Sequence, residues 1–219
     1  VIKPAVGFFS MAVHPMFGPE AWHDTVGAIE AEMAAARELY PPAVIDGSVF
    51  IVEQLLQGQE VAVDGYFDSH GTPVILSVFR HLFASGDDVS DRVYITSKEI
   101  IEENLPALTD YLTALGRATG CTDFPFHVEL RRDEEGTLRP IEVNPLRFGG
   151  WCTTADLTAQ AFDLNPYLAW FAAEVPDWPA ILADHAGQTY AIVVLDDSTG
   201  IDRSDIRAFD LDAVCARFG

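Results

Sequence analysis

The stretch of sequence that decides the fold runs from Phe126 to Asn144 and reads FHVELRRDEEGTLRPIEVN. Two runs that alternate between polar and apolar residues flank a polar turn around Gly136, and this pattern predicts a β-hairpin. Folding the chain about the midpoint between residues 135 and 136 places Glu129 opposite Glu142. The other face then carries the apolar pairs, which are Val128 with Val143 and Leu130 with Ile141. The hairpin is therefore predicted to have one acidic and one apolar face.

The acidic face of this hairpin predicts a metal site. Two carboxylates that face one another across a hairpin repel, and at about 5 Å with an effective dielectric constant of about 20 the cost is roughly 3 kcal/mol. The same register places His127 opposite Asn144, so that an amide oxygen lies beside the carboxylates. A hard cation such as Mg²⁺ prefers such oxygen ligands, here Glu129, Glu142 and Asn144. The alternative is a solvated acidic face on an edge hairpin.

The composition is that of an acidic protein with enough apolar residues for a core. The chain has 219 residues, of which 49% are hydrophobic, so it suits one large domain or two small lobes. The net charge of −21 argues against nucleic-acid binding through a basic surface and against contact with anionic membranes. A phosphate site would have to be built locally from Lys, Arg, backbone amides or a metal.

The cysteines and the start of the chain bear on its location and extent. Three scattered cysteines show neither zinc-binding spacing nor a disulfide framework, which favours a reducing cytoplasm; they are Cys121, Cys152 and Cys215. The sequence contains no signal peptide and no apolar run of about 18 residues. Because the chain opens at Val1 inside an apparent strand, we expect a further portion before it.

The hydrophobic periodicity predicts an α+β fold with antiparallel sheets flanked by helices. Beside the hairpin, strands are expected at residues 1–4, 11–17, 49–56, 59–68, 73–83 and 189–195. Helices are expected at 19–40, from a capping box at 96–99 to residue 116 or 120, from 153, from 166 and at 210–218. Pro106 is expected to kink or split the second of these helices.

These elements predict two lobes that can hold a small ligand between them. The small lobe is expected at residues 1–53 and the large lobe, with the hairpin, at residues 54–180. Residues 181–219 are expected to form an extension with one strand and one helix.

The first strand carries candidates for a phosphate site. Lys3 lies at the end of an apolar strand, where its ammonium group could meet phosphate oxygens as a point charge. Gly7 and Ser10 follow it and would let backbone amides approach the same phosphates. A strand-end lysine beside a glycine is also common on an ordinary protein surface, so that alternative stays open.

A second strand end offers a site for a nucleoside. Glu53 ends an apolar strand, and the backbone beyond it can present one donor and one acceptor to a planar base edge; the residues concerned are Gln54, Leu55 and Leu56. A nearby carboxylate such as Glu60 can accept hydrogen bonds from the two hydroxyl groups of a ribose. A purely structural role is the alternative for each of these residues.

Two arginines belong to the same region. Arg147 lies three residues past Asn144 and can reach over the metal site, where a guanidinium would neutralise charge on a transferring phosphoryl group. The alternative is an ion pair with the many acids nearby. Arg131, which the register assigns to the acidic face, could orient a substrate carboxylate.

The order of these segments resembles the ATP-grasp superfamily over roughly residues 1–160. The matching segments are Ile2–Gly7, the Val-Glu-x-x-x-x-Gly-x-Glu run of Val52–Glu60, Glu129, and Glu-Val-Asn-Pro at 142–145. The resemblance implies ATP bound in a cleft between two α+β lobes, and Mg²⁺ or Mn²⁺ as the metal. The implied contacts are Lys3 to the phosphates, the backbone of 53–56 to adenine, Glu60 to ribose, Glu129, Glu142 and Asn144 to the metal, and Arg147 to the transferred phosphoryl group.

Three functions follow as hypotheses. The first is an ATP- and Mg²⁺-dependent ligase that activates a small carboxylate as an acyl phosphate for attack by an amine or a thiol. The second is a catalytically inactive nucleotide-binding regulatory module. It is favoured because Leu146 puts Arg147 one residue later than the Asn-Pro-Arg order common in the family. The third is a sugar- or calcium-binding acidic domain.

Overall fold

The computed structural model of the protein describes residues 1–7, 10–41, 46–83, 92–150, 153–194 and 201–218. Its strands are β1 (Ile2–Val6), β2 (Asp46–Val52), β3 (Gln59–Phe67), β4 (Pro73–His81), β5 (Val93–Ser97), β6 (Phe124–Arg132), β7 (Leu138–Pro145) and β8 (Thr189–Val193). Its helices are α1 (Trp22–Leu39), α2 (Lys98–Thr119), α3 (Thr153–Phe162), α4 (Pro166–Phe171), α5 (Trp178–Ile181) and α6 (Leu211–Phe218). Single turns of 3₁₀ helix lie at Pro19–Ala21 and Arg203–Asp205.

The strands form two antiparallel sheets. β1 and β2 make a two-stranded sheet, and the other six strands make a sheet of order β7-β6-β3-β4-β5-β8. The α+β class with antiparallel sheets and flanking helices is therefore confirmed. β3 lies inside the large sheet and is buried along nearly its whole length, because sheet neighbours cover both its edges and packed layers cover its faces.

The small sheet packs against α1. Ile2 of β1 forms a core with two residues of the helix, Ile29 and Met33, all of which are buried. The strand expected at residues 11–17 is wrong in the described structure, because only His14 pairs there, in an isolated bridge with Ile2. Ser10 and Ala12 adopt positive φ, and such turn-like backbone cannot continue a ladder of hydrogen bonds.

The large sheet carries the main core, and α2 covers one of its faces. Leu108 and Leu112 of the helix are fully buried against Leu76 and Val78 of β4. Pro106 does not divide this helix, which runs without a break through residue 119. Proline removes a single backbone donor, and the buried leucines that follow it hold the second half of the helix on the sheet.

The ends of α2 refine the expected capping. The N-cap is Ser97, whose side chain accepts from the Ile100 amide, whereas the expected box began one residue earlier. Thr96 is unavailable as a cap because it belongs to β5 and its hydroxyl donates to the Val78 carbonyl oxygen at 2.8 Å. The helix ends at Gly120, whose φ of 67° is the left-handed conformation favoured by glycine.

The expected boundary at residues 180/181 does not separate two units. β8, assigned by sequence to an extension, pairs with β5 from Val93↔Val193 to Ser97↔Thr189 and so completes the large sheet. Leu182 is 1% exposed in the same core. The apolar residues on both sides of the expected boundary are needed to cover one sheet. Cys152, just before α3, lies outside the described residues.

Candidate functional site

The hairpin of β6 and β7 has the register predicted for its acidic end. Glu129 is the cross-strand partner of Glu142, and His127 is the partner of Asn144. Near the turn the pairing differs, because Leu130 lies opposite Pro140 rather than Ile141. Ile141 is the extra residue of a β-bulge, so the register changes by one between the turn and the acidic pair.

The predicted metal ligands on the acidic face differ in their exposure to solvent. The Glu129 side chain is 14% exposed, whereas that of Glu142 is 48% exposed. The Asn144 amide nitrogen is buried and has no hydrogen-bond partner among the described residues. No cluster of three or more His, Cys, Asp or Glu suited to a metal occurs in the described ranges. The predicted set is of another kind, because it consists of two carboxylates and the amide of Asn144. This hard oxygen donor set on one face of one hairpin fits Mg²⁺.

A buried histidine joins this face to the centre of the sheet. The His127 ring is 1% exposed; Nδ1–H donates to Asp64 Oδ1 at 2.7 Å, and Nε2–H donates to Glu129 Oε1 at 3.0 Å. Burial lowers the pKa of His127, but the carboxylates of Asp64 and Glu129 outweigh burial and raise the pKa to about 10. The imidazolium therefore supplies, within the protein, part of the positive charge that facing carboxylates require.

Asp64 was missed by the sequence reasoning, although it connects three segments. It is fully buried in β3, and Oδ1 accepts both from His127 and from the Gly149 amide, the latter at 2.9 Å. Its Oδ2 is buried with no partner within the described part of the chain. The available signal was a lone carboxylate inside the apolar run VAVDGYF, residues 61–67. A buried acid in such a run requires a partner, and His127 is that partner.

The segment after β7 brings Arg147 back towards the acidic face. Leu146 adopts a φ of 61°, and its amide donates to the Pro125 carbonyl oxygen at 2.8 Å. This turn leaves Arg147 Nη2 at 4.0 Å from Glu142 Oε1, with the arginine side chain 45% exposed. The additional residue before the arginine is thus accommodated by a left-handed turn. Arg147 remains close to the predicted metal ligand.

Lys3 connects the two sheets beside the same carboxylates. Its Nζ lies 2.7 Å from Glu53 Oε2 and donates to the Ile141 carbonyl oxygen at 3.3 Å. Ile141 directly precedes Glu142 in β7, so the lysine of the small sheet is next to the acidic face of the hairpin. The structure therefore brings Lys3, Glu53 and the hairpin close together.

The predicted phosphate loop is described only at its two ends. Gly7 directly follows β1, whereas Ser10 has a φ of 53° and its carbonyl oxygen accepts from the Val13 amide at 3.2 Å. Residues 8 and 9 lie outside the described structure. Phosphate binding by Gly7 and Ser10 stays a prediction.

The predicted nucleoside segment links β2 to β3. Gln54 is exposed, whereas Leu55 and Leu56 are half-buried. Glu60 is 6% exposed, with Oε1 at 2.9 Å from His81 Nδ1 and Oε2 at 3.0 Å from Arg131 Nη2. Contact between Glu60 and a ribose stays a prediction, since both oxygens of this carboxylate are already hydrogen-bonded.

Arg131 is held by two internal partners. Its guanidinium binds Glu60 and donates through Nη1 to the Leu56 carbonyl oxygen at 2.7 Å. Orientation of a substrate carboxylate by Arg131 stays a prediction; in this structure the internal carboxylate of Glu60 occupies the arginine. No helix in the described ranges has the length and apolar character needed to cross a membrane.

Comparison with known proteins gives the chain its family. The family model of the ATP-grasp domain matches residues 1–155. No curated protein matches the sequence significantly. The fold is similar to the crystal structure of an L-amino acid ligase from Bacillus licheniformis, with a TM-score of 0.55 and 23% identity over 82% of this chain and 38% of that one.

Two biotin carboxylase structures are similar to the same extent. One, from Campylobacter jejuni in complex with β-γ-ATP, has a TM-score of 0.55 and 13% identity over 82% of this chain and 38% of that one. The other is the biotin carboxylase domain of the Hydrogenobacter thermophilus 2-oxoglutarate carboxylase, in complex with MgADP, ADP and bicarbonate. Its TM-score is 0.55, with 15% identity over 80% of this chain and 37% of that one. At these identities the likeness concerns the fold alone.

The chain spans less than two fifths of the length of these three solved structures. The family match nevertheless includes both sheets up to the end of β7, and with them the acidic hairpin and Lys3. On that match over residues 1–155 of 219, the chain belongs to the ATP-grasp family.

Proposed function

We propose that this chain is part of an ATP- and Mg²⁺-dependent ligase that joins a small-molecule carboxylate to an amine. The observation that carries the proposal is the contact of Lys3 with the Ile141 carbonyl oxygen at 3.3 Å, next to Glu142. In this contact the Lys3 ammonium group, proposed to bind phosphate, lies next to Glu142, which is proposed to bind the metal. A triphosphate in an otherwise acidic protein needs such a local arrangement.

The residues proposed to hold Mg²⁺, or Mn²⁺ in its place, are Glu129, Glu142 and Asn144. When bound, the metal would neutralise phosphate charge and hold the phosphate oxygens for in-line transfer. His127 keeps Glu129 in a fixed position through its hydrogen bond of 3.0 Å. The Glu142 side chain, which is about half exposed and 4.0 Å from Arg147, would turn towards the ligand.

The nucleotide is proposed to lie between the two sheets. Lys3 would leave Glu53 for the phosphates, which are the stronger anions, and the amides of Gly7 and Ser10 would assist it. The backbone from Glu53 to Leu56 would read the adenine edge, with Gln54 in its middle and Glu60 towards the ribose.

The reaction has two steps. An oxygen of the substrate carboxylate attacks the γ-phosphorus of ATP, the bond to the β,γ-bridging oxygen breaks, and ADP leaves with that electron pair. The amine then attacks the carbonyl carbon of the acyl phosphate, phosphate leaves and the nitrogen loses a proton. Arg147, at 4.0 Å from Glu142, would stabilise the charge on the phosphoryl group during transfer.

Phosphate release tests this proposal. Purified protein with Mg²⁺-ATP and panels of carboxylic acids and amines should release phosphate only with a particular acid and amine. The variant Glu142→Gln should abolish this release, whereas Glu134→Gln, in the exposed turn of the same hairpin, should not change it.

A second candidate is a nucleotide-binding regulatory module without catalysis. The turn at Leu146 and the 45% exposure of the Arg147 side chain favour it. Mg²⁺-dependent binding of a non-hydrolysable ATP analogue without phosphate release against any pair would select this module over the ligase.

A further inference from the structure

We propose that Arg131 is a positioning residue that fixes the backbone of residues 53–58 for the nucleoside part of ATP. This inference rests on the proposed function. Arg131 belongs to β6, whereas the segment it holds connects β2 of the small sheet to β3 of the large sheet. One side chain of the hairpin therefore sets the geometry of the connection between the two sheets.

The guanidinium makes two hydrogen bonds and one further ion-pair contact, in two directions. Nε and Nη2 lie 3.1 Å and 3.0 Å from Glu60 Oε2, and Nη1 donates to the Leu56 carbonyl oxygen at 2.7 Å. The arginine side chain is 22% exposed and Glu60 is 6% exposed, so these bonds form largely away from water. Charge-assisted hydrogen bonds are strongest under such conditions.

The anchor on the other side of Glu60 is rigid. His81 Nδ1 lies 2.9 Å from Glu60 Oε1, and the histidine ring stacks on Tyr94 with an interplanar angle of 15°. The Arg131 guanidinium in turn lies 5.4 Å from the centre of the Phe83 ring, within the range of a cation–π contact. Because its anchor cannot turn freely, Arg131 holds the Leu56 carbonyl group in one place.

The position of the Leu56 carbonyl group bears on the proposed binding of the adenine base. A carbonyl oxygen has two acceptor sites, so Leu56 can accept from Arg131 and still present an acceptor to an amino group of a ligand. Arginine is required for this arrangement, since its planar fork reaches Glu60 and Leu56 together. A lysine would keep its charge beside Glu60 but has one ammonium group for both partners.

The variant Arg131→Lys separates positioning from the general electrostatics of the site. The probes are a non-hydrolysable ATP analogue and inorganic tripolyphosphate, each with Mg²⁺, measured by calorimetry. We expect about a tenfold loss of affinity for the analogue and less than about a twofold change for tripolyphosphate, which lacks the nucleoside. Arg139→Lys is the matched control, because Arg139 lies opposite Arg131 in the hairpin but pairs with Asp133 of the hairpin turn and not with Glu60 or Leu56.

Amide hydrogen exchange on the wild-type protein tests the inference without a variant. The analogue should slow exchange at residues 54–57, and tripolyphosphate should not. Equal losses for both probes in Arg131→Lys, an unchanged affinity for the analogue, or binding of the analogue without protection of residues 54–57 would each overturn the inference. A wild-type protein that binds neither probe would instead refute the proposed function itself.

Discussion

Replacing Gly149 with alanine tests the packing beneath the acidic face of the hairpin. A Cβ atom at Gly149 would lie 2.1 Å from His127 Cε1 and 2.2 Å from Nδ1. Ordinary carbon contacts are about 3.5 Å or longer, so the ring or the backbone would have to move by more than about 1 Å. The ring cannot yield easily, because Asp64 holds one nitrogen at 2.7 Å and Glu129 the other at 3.0 Å.

The expected cost follows from these contacts. Overpacking of a buried site costs about 1–3 kcal/mol, and weakening the hydrogen bond from the Gly149 amide to Asp64 adds about 1 kcal/mol. We therefore expect Gly149→Ala to lower the free energy of unfolding by about 2–4 kcal/mol. The control is Gly27→Ala in α1, where a Cβ would meet nothing within 4 Å and helix propensity predicts stabilisation of about 1 kcal/mol.

Urea denaturation measures both variants. The midpoint should fall for Gly149→Ala and rise slightly for Gly27→Ala, with similar dependence on denaturant for each. A Gly149→Ala protein within about 0.5 kcal/mol of the wild type would refute the packing argument. The same variant should also weaken Mg²⁺-dependent binding of an ATP analogue, because displacement of His127 moves Glu129.

Three other predictions concern the charges of the site. Glu142→Gln should leave the fold intact and, without metal, stabilise it by up to about 1 kcal/mol, because the repulsion between the facing carboxylates of Glu129 and Glu142 is relieved. Thermal unfolding measures this change, and a marked loss of stability would contradict the prediction. The pKa of His127 is raised from 6.5 to about 10, so its contribution to stability is fully present below pH 6.5. The free energy of unfolding should therefore fall by roughly 3–5 kcal/mol as the pH rises from 6.5 through 10. A flat profile from urea titrations would show that His127 is neutral in the folded protein. Lys3→Met should weaken binding of the ATP analogue about tenfold. The same variant should change stability by less than about 1 kcal/mol, because the partner of Lys3, Glu53, is 42% exposed. Binding of the analogue as tight as in the wild type would remove Lys3 from the phosphate site.

The acidic end of the hairpin was predictable because two local signals agreed. A polar turn at Gly136 and the period-two alternation fixed which residues face one another. The prediction failed nearer the turn, where Leu130 pairs with Pro140. The turn itself is centred on Glu135 rather than between residues 135 and 136, with the Gly136 amide donating to the Asp133 carbonyl oxygen, and the bulge restores the register that the alternation implies.

The parts that the sequence did not reveal depend on contacts between distant residues. Asp64 and His127 are 63 positions apart, and Arg131 and Leu56 are 75 apart. Neither spacing follows from a local period. Arg131 was assigned to a substrate because an arginine on an acidic face needs an anion, and Glu60, 71 positions earlier, is the anion that the fold supplies.

The bulge at Ile141 separates two functions of strand β7, which are the pairing of Glu142 with Glu129 and the contact with Lys3. If this residue were deleted, the regular ladder would still set Glu129 against Glu142, but the carbonyl group that receives Lys3 would be lost. The docking of the small sheet can thus be altered by insertion or deletion of one residue while the metal-facing pair stays in step. Such a shortened chain would retain its acidic pair and lose the hydrogen bond from Lys3 to the Ile141 carbonyl oxygen, which is a contact between the two sheets.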